Sequence, residues 1–394
     1  MRIAGIVCEC NPFHGGHAYL MGSARRDGAD VIVCVMSGEF VQRGEAAIVD
    51  ARVRAEALVR GGADLVLELP FPYSSASAEH FAAAGVRMLD RMGVTELWFG
   101  SECGDLATLS RLAAICDDER FLAEYRATAA DNSGTAEAYF DCLSKFVGED
   151  LSCASNDILA LSYLRAISAI GSKMRPVTVC RKGSAYRETE LADCYPSATA
   201  LRRLWRAEGL DAVLPYLPEV TCEAYRCARI ADWKNAERLV IGYLRLTPPE
   251  VLERCAALSG GLGRRLWSAA QSARSWEELL SLAATKKYTT ARLHRGILFA
   301  LTGITDADLS TEPAYARLLG ANAVGCEHLS RLRREGKIPV VTRRADLPDT
   351  TEALRQATWS ETAHALYTLL LDESDAADGY WRQGAYIVAE QKEK

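Results

Sequence analysis

MRIAGIVCECNPFHGGHAYL, residues 1–20, decides the reading of this chain. Ile3 to Val7 is a short apolar, β-prone run. It ends in a polar, proline-containing break, Glu9-Cys10-Asn11-Pro12-Phe13, and a helical pattern opens at His14-Gly15-Gly16-His17. Strand, tight turn and helix is the geometry this order predicts. The two glycines let the main chain come close to a ligand, and the unsatisfied amides of a new helix N-terminus form an anion site, with phosphate the obvious guest. His14 and His17 are two of only six histidines in the chain. Each imidazole can donate to a phosphate oxygen, and a cationic one would neutralise charge developing on phosphorus and leaving group. The plainer alternative is a strand-to-helix turn in which one histidine caps and the other packs.

At 394 residues the chain is too long for one average domain, and two domains are expected. A hydrophobic content of 49% with 25% charged residues is ordinary for a protein with a large core. No apolar run of membrane-spanning length occurs, and the first strand begins without a secretory leader pattern, so no membrane partner and a cytoplasmic location are expected. The 13 cysteines are scattered, odd in number and without a Cys-x-x-Cys pair. Reduced thiols are therefore expected, with no protein-held metal site. The net charge of −6 argues against indiscriminate coating of nucleic acid while allowing a local basic patch.

Val31 to Met36 reads as a buried parallel strand followed by the polar loop Ser37 to Glu45, and Asp50 caps a helix that runs to about Arg60. Leu65 to Leu69 is a third strand, Ala78 to Met92 a helix, and Glu96 to Gly100 a fourth strand. The alternation predicts an α/β fold, a parallel sheet covered on both faces, with a ligand beyond the carboxyl ends of the strands. Leu106 to Gly148 is helical, with a turn at Asp131 to Gly134. Asn156 to Ile170 is a helix and Val177 to Cys180 a fifth strand leading into Arg181-Lys182. Ser197-Ala198-Thr199-Ala200-Leu201-Arg202 then starts a helix with hydroxyls and an arginine, a pattern that suits phosphate.

Past Leu210 strand patterns nearly vanish and helices dominate: 236–246, 249–257, 262–273, 276–283, 290–301 and 359–371. The expected division is 1–209 and 210–394, the second part mainly α-helical and packed directly on the first. Two basic clusters fall there. Lys286, Lys287, Arg292, His294 and Arg295 form one; Arg331, Arg333, Arg334, Lys337, Arg343 and Arg344, around a strand at Pro339 to Thr342, form the other. Two clusters in one half of an acidic chain point to an RNA backbone.

His14-x-Gly-His17 resembles the HxGH signature of the nucleotidylyltransferase superfamily, and Ser197-Ala198-Thr199-x-x-Arg202 is similar to the ISSTxxR element that closes its phosphate site. A closer resemblance is to the tRNA(Met) cytidine acetate ligase family. It is carried by Glu9 to His17, Met36 to Glu45, Ala63 to Pro70, Phe99 to Glu102, Thr285 to Thr289 and Tyr315-x-Arg317-Leu318-Leu319-Gly320. Leu20, Ala51 and Asp157 stand where many members have His, Lys and Asn.

The resemblance implies a Rossmann-like nucleotidylyltransferase sheet and an ATP-dependent ligase. Such an enzyme would activate acetate as acetyl-adenylate and acetylate the exocyclic amine of the wobble cytidine of elongator tRNA(Met), with Mg²⁺ bound through the phosphates. It places ATP against Val7, Cys8, Glu9, Cys10, Asn11, Pro12, Phe13, His14, Gly15, Gly16, His17, Ala18, Tyr19 and Leu20, with Gly100, Asn156, Arg181 and Lys182; Ser197, Thr199 and Arg202 complete the phosphate site. His14 and His17 are the expected catalytic pair, and Lys286, Lys287, Arg292 and Arg295 the expected tRNA contacts. No general base is evident. The rival readings are an adenylyltransferase acting on a small phosphomonoester and a catalytically silent RNA-binding relative.

Overall fold

A computed structural model of the chain describes residues 1–129, 136–148, 154–180, 196–335 and 338–388. Five strands, β1 (Ile3–Cys8), β2 (Val31–Ser37), β3 (Leu65–Leu69), β4 (Glu96–Ser101) and β5 (Arg175–Cys180), pair in parallel in the order β5-β4-β1-β2-β3. β2 and β3 are buried along their whole length, which is what continuous apolar runs in a two-sided sheet require. The chain leaves β1 towards β2 on one side and later adds β4 on the other. Their carboxyl ends diverge beside β1, where open α/β sheets bind ligands.

Helices α1 (Gly15–Arg26) and α2 (Ala51–Arg60) cover one face, in a core with Ile6, Cys34, Met36, Trp98 and Leu201. Helix α3 (Ala78–Arg91) covers the other with the helix Ser155–Ala169, around Val33, Val35, Leu67 and Phe99. Among the described residues the cysteines are free thiols, and no helix is long and apolar enough to cross a membrane.

The part after 210 is mainly helical and also adds strands to the sheet. β6 (Ala316–Ala321) joins the sheet antiparallel to β3, followed by β7 (Val340–Val341), while β8 (Tyr386–Ile387) pairs with β6. The mid-run charge of Arg317 disguised this strand in the sequence. Its partner is 249 residues away: Arg317 Nη1 donates to Glu68 Oε2 at 3.0 Å, and the Tyr380 hydroxyl donates to the same oxygen at 3.0 Å. The helix predicted from Trp359 begins at Thr351, capped by Thr350, whose hydroxyl accepts from Ala353 N at 3.2 Å. The turn expected at Asp131 to Gly134 lies outside the described residues.

A third core joins the two parts. Phe40 and Ala46 of the β2–α2 loop, with Phe71 and Ala76, enter a cluster of helical residues including Trp233, Phe299 and Tyr367. Next to it Glu39 Oε1 meets His364 Nδ1 at 2.6 Å, both side chains buried.

Two expected outcomes follow from these buried charges. Arg317→Leu should lower the unfolding free energy by about 3–5 kcal/mol, because it strands the Glu68 carboxylate, and Glu68→Gln added to it should recover part of the loss in urea titrations. For His364, burial acts to lower the pKa, but Glu39's hydrogen bond and charge outweigh it and the net shift is upward from 6.5. Burial raises Glu39 from 4.5 in spite of His364. The folded pair thus holds a proton that the unfolded chain has released. Its stabilisation should be complete below pH 6.5 and fade as pH rises through the raised folded value, a slope that His364→Gln should flatten.

Candidate active site

The turn between β1 and α1 is built by reciprocal capping. His14 is the N-cap of α1: its Nδ1 accepts from Gly16 N at 3.0 Å, and His17 Nδ1 accepts from His14 N at 3.2 Å. A Cβ at Gly16 would stand 2.9 Å from His14 Cε1, so only glycine leaves this ring its place. The two ring centroids are 4.0 Å apart, and Phe13 stacks on His17 at 5.6 Å. In both bonds Nδ1 is the acceptor, so the capping orients each ring through that nitrogen and leaves Nε2 as the one that can donate beside the helix amides.

The rest of the turn is held from outside. Asn11 Oδ1 accepts from Ile48 N at 2.7 Å, Asn11 O from Arg202 Nη1 at 2.9 Å, and the Tyr225 hydroxyl from Phe13 N at 2.9 Å. Arg202 also pairs with Glu45 at 3.2 Å and meets the Thr199 hydroxyl at 3.4 Å; Ser197 caps its helix, Ala198–Glu208, accepting from Ala200 N at 3.2 Å. Beneath the turn lies Arg54, fully buried on α2. Its guanidinium donates to the carbonyls of Glu9 at 2.7 Å, Ser37 at 3.0 Å, Val49 at 3.1 Å and Gly38.

Among the expected ATP-site residues, Cys8, Cys10 and Phe13 turn into the core, so any part they take goes through main chain. Val7, at the end of β1, packs against Gly85, Ala18 and Leu20 border the α1 core, and Tyr19 lies under Arg26. Pro12 follows a cis peptide bond. Gly100 pairs with Val179 in the sheet. Asn156 Nδ2 donates to Glu102 Oε1 at 2.6 Å and Asp157 N to Glu102 Oε2 at 3.1 Å. Asp157 Oδ1 returns two bonds, accepting from Glu102 N at 2.9 Å and Cys103 N at 3.1 Å. An asparagine carbonyl offers the same acceptor. Arg181 and Lys182 lie outside the described residues.

The first basic cluster flanks this site. Gly44 has φ +73°, and a Cβ there would lie 2.4 Å from Arg295 N, so the β2–α2 loop presses directly on the helix Thr290–Thr302. Arg295 Nη1 reaches Gln42 O at 3.4 Å, and burial, then Arg292 and Arg43, brings its pKa down to about 10. Arg292 spends its guanidinium on Ala257 O and Ser259 O, both at 3.0 Å, while Lys286 and Lys287 are exposed. The second cluster is elsewhere: Arg331 contacts Met1 and its neighbour His328 bonds Met92 O, at the amino ends of β1 and β4. Lys337 is outside the described residues.

Sequence reasoning missed the tyrosine that fixes Phe13 and the Glu39–His364 and Glu68–Arg317 pairs. For Tyr225 no local signal exists. For Glu68 there was one, a carboxylate inside an apolar strand, which demands a partner.

Asp157→Asn is expected to leave thermal stability unchanged, whereas Asp157→Ala, which orphans two amides, should cost roughly 1–3 kcal/mol by denaturant titration.

This geometry agrees with what the chain is similar to. Residues 1–379 match the family model described as HIGH Nucleotidyl Transferase. Two curated tRNA(Met) cytidine acetate ligases, from Acetivibrio thermocellus and Syntrophotalea carbinolica, are 34% and 35% identical to it, over 88% and 87% of this chain and 89% and 85% of theirs. The crystal structure of apo Thermotoga maritima TmcAL superposes with a TM-score of 0.91 at 29% identity, covering 99% of this chain and all of that one. A second TmcAL structure, bound with alpha-thio ATP, gives 0.89 at the same identity and covers 99% of this chain and 100% of that one. The chain belongs to the tRNA(Met) cytidine acetate ligase family of HIGH nucleotidyl transferases.

Proposed function

We propose that this protein is an ATP-dependent acetate ligase that makes N4-acetylcytidine at the wobble position of elongator tRNA(Met) in the cytoplasm. The observation that carries it is the capped His14–His17 pair at the carboxyl end of β1, with the exposed Lys286 and Lys287 on the adjoining helical part. Neither acetate nor the amine reacts unaided. Acetate would have to expel oxide, and the cytosine amine's lone pair is delocalised into the ring. Activation is required.

Acetate oxygen attacks the α-phosphorus of ATP and the bond to pyrophosphate breaks. His14 and His17, through Nε2–H, and the α1 amides stabilise charge gathering on the phosphoryl oxygens and on the leaving group. Arg202 closes the phosphate end, and Ser197 and Thr199 line it. Mg²⁺ would be carried on the triphosphate's own oxygens. The cytidine is already single-stranded in an anticodon loop, so presenting it costs little. Lys286, Lys287 and Arg295 meet the tRNA backbone, with Arg292 bracing the loop behind them.

The discriminating assay follows AMP and pyrophosphate release from labelled ATP with acetate and tRNA each supplied or withheld. Release that needs both, and falls at least 100-fold in His17→Ala, is expected. ATP use indifferent to tRNA, with AMP retained in a small product, would sink the proposal. Lys286→Ala combined with Lys287→Ala should weaken tRNA binding without changing acetate activation, and should reduce the slope of log affinity against log salt by about 1–2.

A further inference from the structure

We propose that the Glu9 carboxylate is the group that takes the proton from the attacking amine. This rests on the ligase reading above and names a residue for the step that reading leaves without a base. Glu9 ends the β1 strand run in the same turn as His14. Its Oε1 accepts from Gln42 N at 3.0 Å, which places the carboxylate between the ATP turn and the loop that presses on the basic helix Thr290–Thr302. It is part-exposed.

Among the described residues, the other candidates around the carboxyl ends of the strands are already committed. His14 and His17 accept main-chain N–H bonds through Nδ1, and a proton taken there would break the cap. Glu45 is held by Arg202; burial opposes ionisation there, but the charges of Arg202, His294, Arg43 and Arg206 keep its pKa below the usual 4.5. Glu39 is closed off against His364, and Glu102 spends both oxygens on Asn156 and Asp157. Asp50 caps α2, accepting from Val53 N at 2.9 Å, and the thiols of Cys8 and Cys10 are buried under α1.

Glu9 differs from all of these. Among the described residues it has no ion pair within 4 Å and one hydrogen bond to one oxygen. Its surroundings are mixed: Arg202 from the helix Ala198–Glu208 and Arg43 from the loop favour the carboxylate, Glu45 opposes it, and Arg54 below binds only its carbonyl. Burial raises its pKa from 4.5, in the direction of a better proton acceptor than a carboxylate in water.

The step balances without any further reagent. The amine nitrogen bonds to the acetyl carbon, the carbonyl pair moves to oxygen, and the nitrogen becomes cationic. Glu9 takes one of its protons. The oxyanion then re-forms the carbonyl, the carbon–oxygen bond to the phosphate breaks with its electron pair, and AMP leaves. The Glu9 proton passes to water. Acetate activation involves no such proton.

The two half-reactions separate the idea from its alternatives. Acetate-dependent exchange of labelled pyrophosphate into ATP reads the first, and single-turnover acetyl transfer to purified tRNA(Met) the second. Glu9→Gln keeps the acceptor for Gln42 N–H and is expected to lower transfer about 100-fold, well beyond any fall in exchange. Its transfer rate should lose the rise with pH that the wild type shows on the acid side, and Glu9→Asp should recover part of the loss. Unchanged transfer in Glu9→Gln overturns the assignment. So does a parallel fall of exchange and transfer, which would mark a structural role. Absence of acetate-dependent exchange in the wild type would overturn the ligase reading itself, and this assignment with it.

Discussion

The site depends on one buried cation. Arg54 has no carboxylate within ion-pair distance among the described residues, and its donors are spent on four main-chain carbonyls from the ends of β1 and β2 and the segment ahead of α2. A guanidinium in such a place is tolerated because its planar fork can satisfy several acceptors at once, which an ammonium cannot. The carbonyls at the ends of two neighbouring strands would otherwise turn outward to water. Arg54 gathers them inward, and the peptides of Glu9, Ser37 and Gly38 take the orientations on which the turn and the loop are built.

With that floor in place, the site's polar groups divide into those fixed as donors and those fixed as acceptors. Capping sets Nδ1 of the two imidazoles as acceptors, and the same bonds that satisfy the helix N-terminus also orient the rings. No separate device is needed. Among the described residues, carboxylates near the turn are paired in ways that remove them from proton transfer, with Glu9 the exception. Positive potential comes from Arg202 and Arg43, from the helix amides, and from Arg295 pressed against the loop. This arrangement suits charge developing on a bound phosphate, and the ammonium groups of Lys286 and Lys287 are exposed at the rim.

The loop from Ser37 to Ala47 links the chemistry to the helical part. Its outer residues bury Phe40 among Trp233, Phe71 and Tyr367, and its glycine touches the backbone of Arg295. Main-chain bonds tie its base to Glu9 and Arg54. The two parts therefore share a core through this loop and also share a sheet, since β6 adds to β3. Any shift of the basic helix against the sheet has to move the loop, and with it the group opposite Glu9.

The local sequence determined the parallel strands, the capped turn at His14 and the helix starts at Asp50 and Ser197, because each is set by short-range periodicity and by residues that satisfy their own neighbours' amides. The resemblance of whole motifs, Glu9 to His17 and Met36 to Glu45 among them, also pointed to the family. What only the tertiary structure decided were the contacts between residues far apart: β6 recovered as a strand because Glu68 answers the charge of Arg317, Tyr225 and Arg202 holding the turn, His364 closing off Glu39, and one basic cluster beside the site while Arg331 of the other lies at the amino ends of β1 and β4. A buried charge or a lone carboxylate takes its meaning from what desolvates and pairs it. Those partners are set by packing across hundreds of residues, and no local pattern in the chain records them.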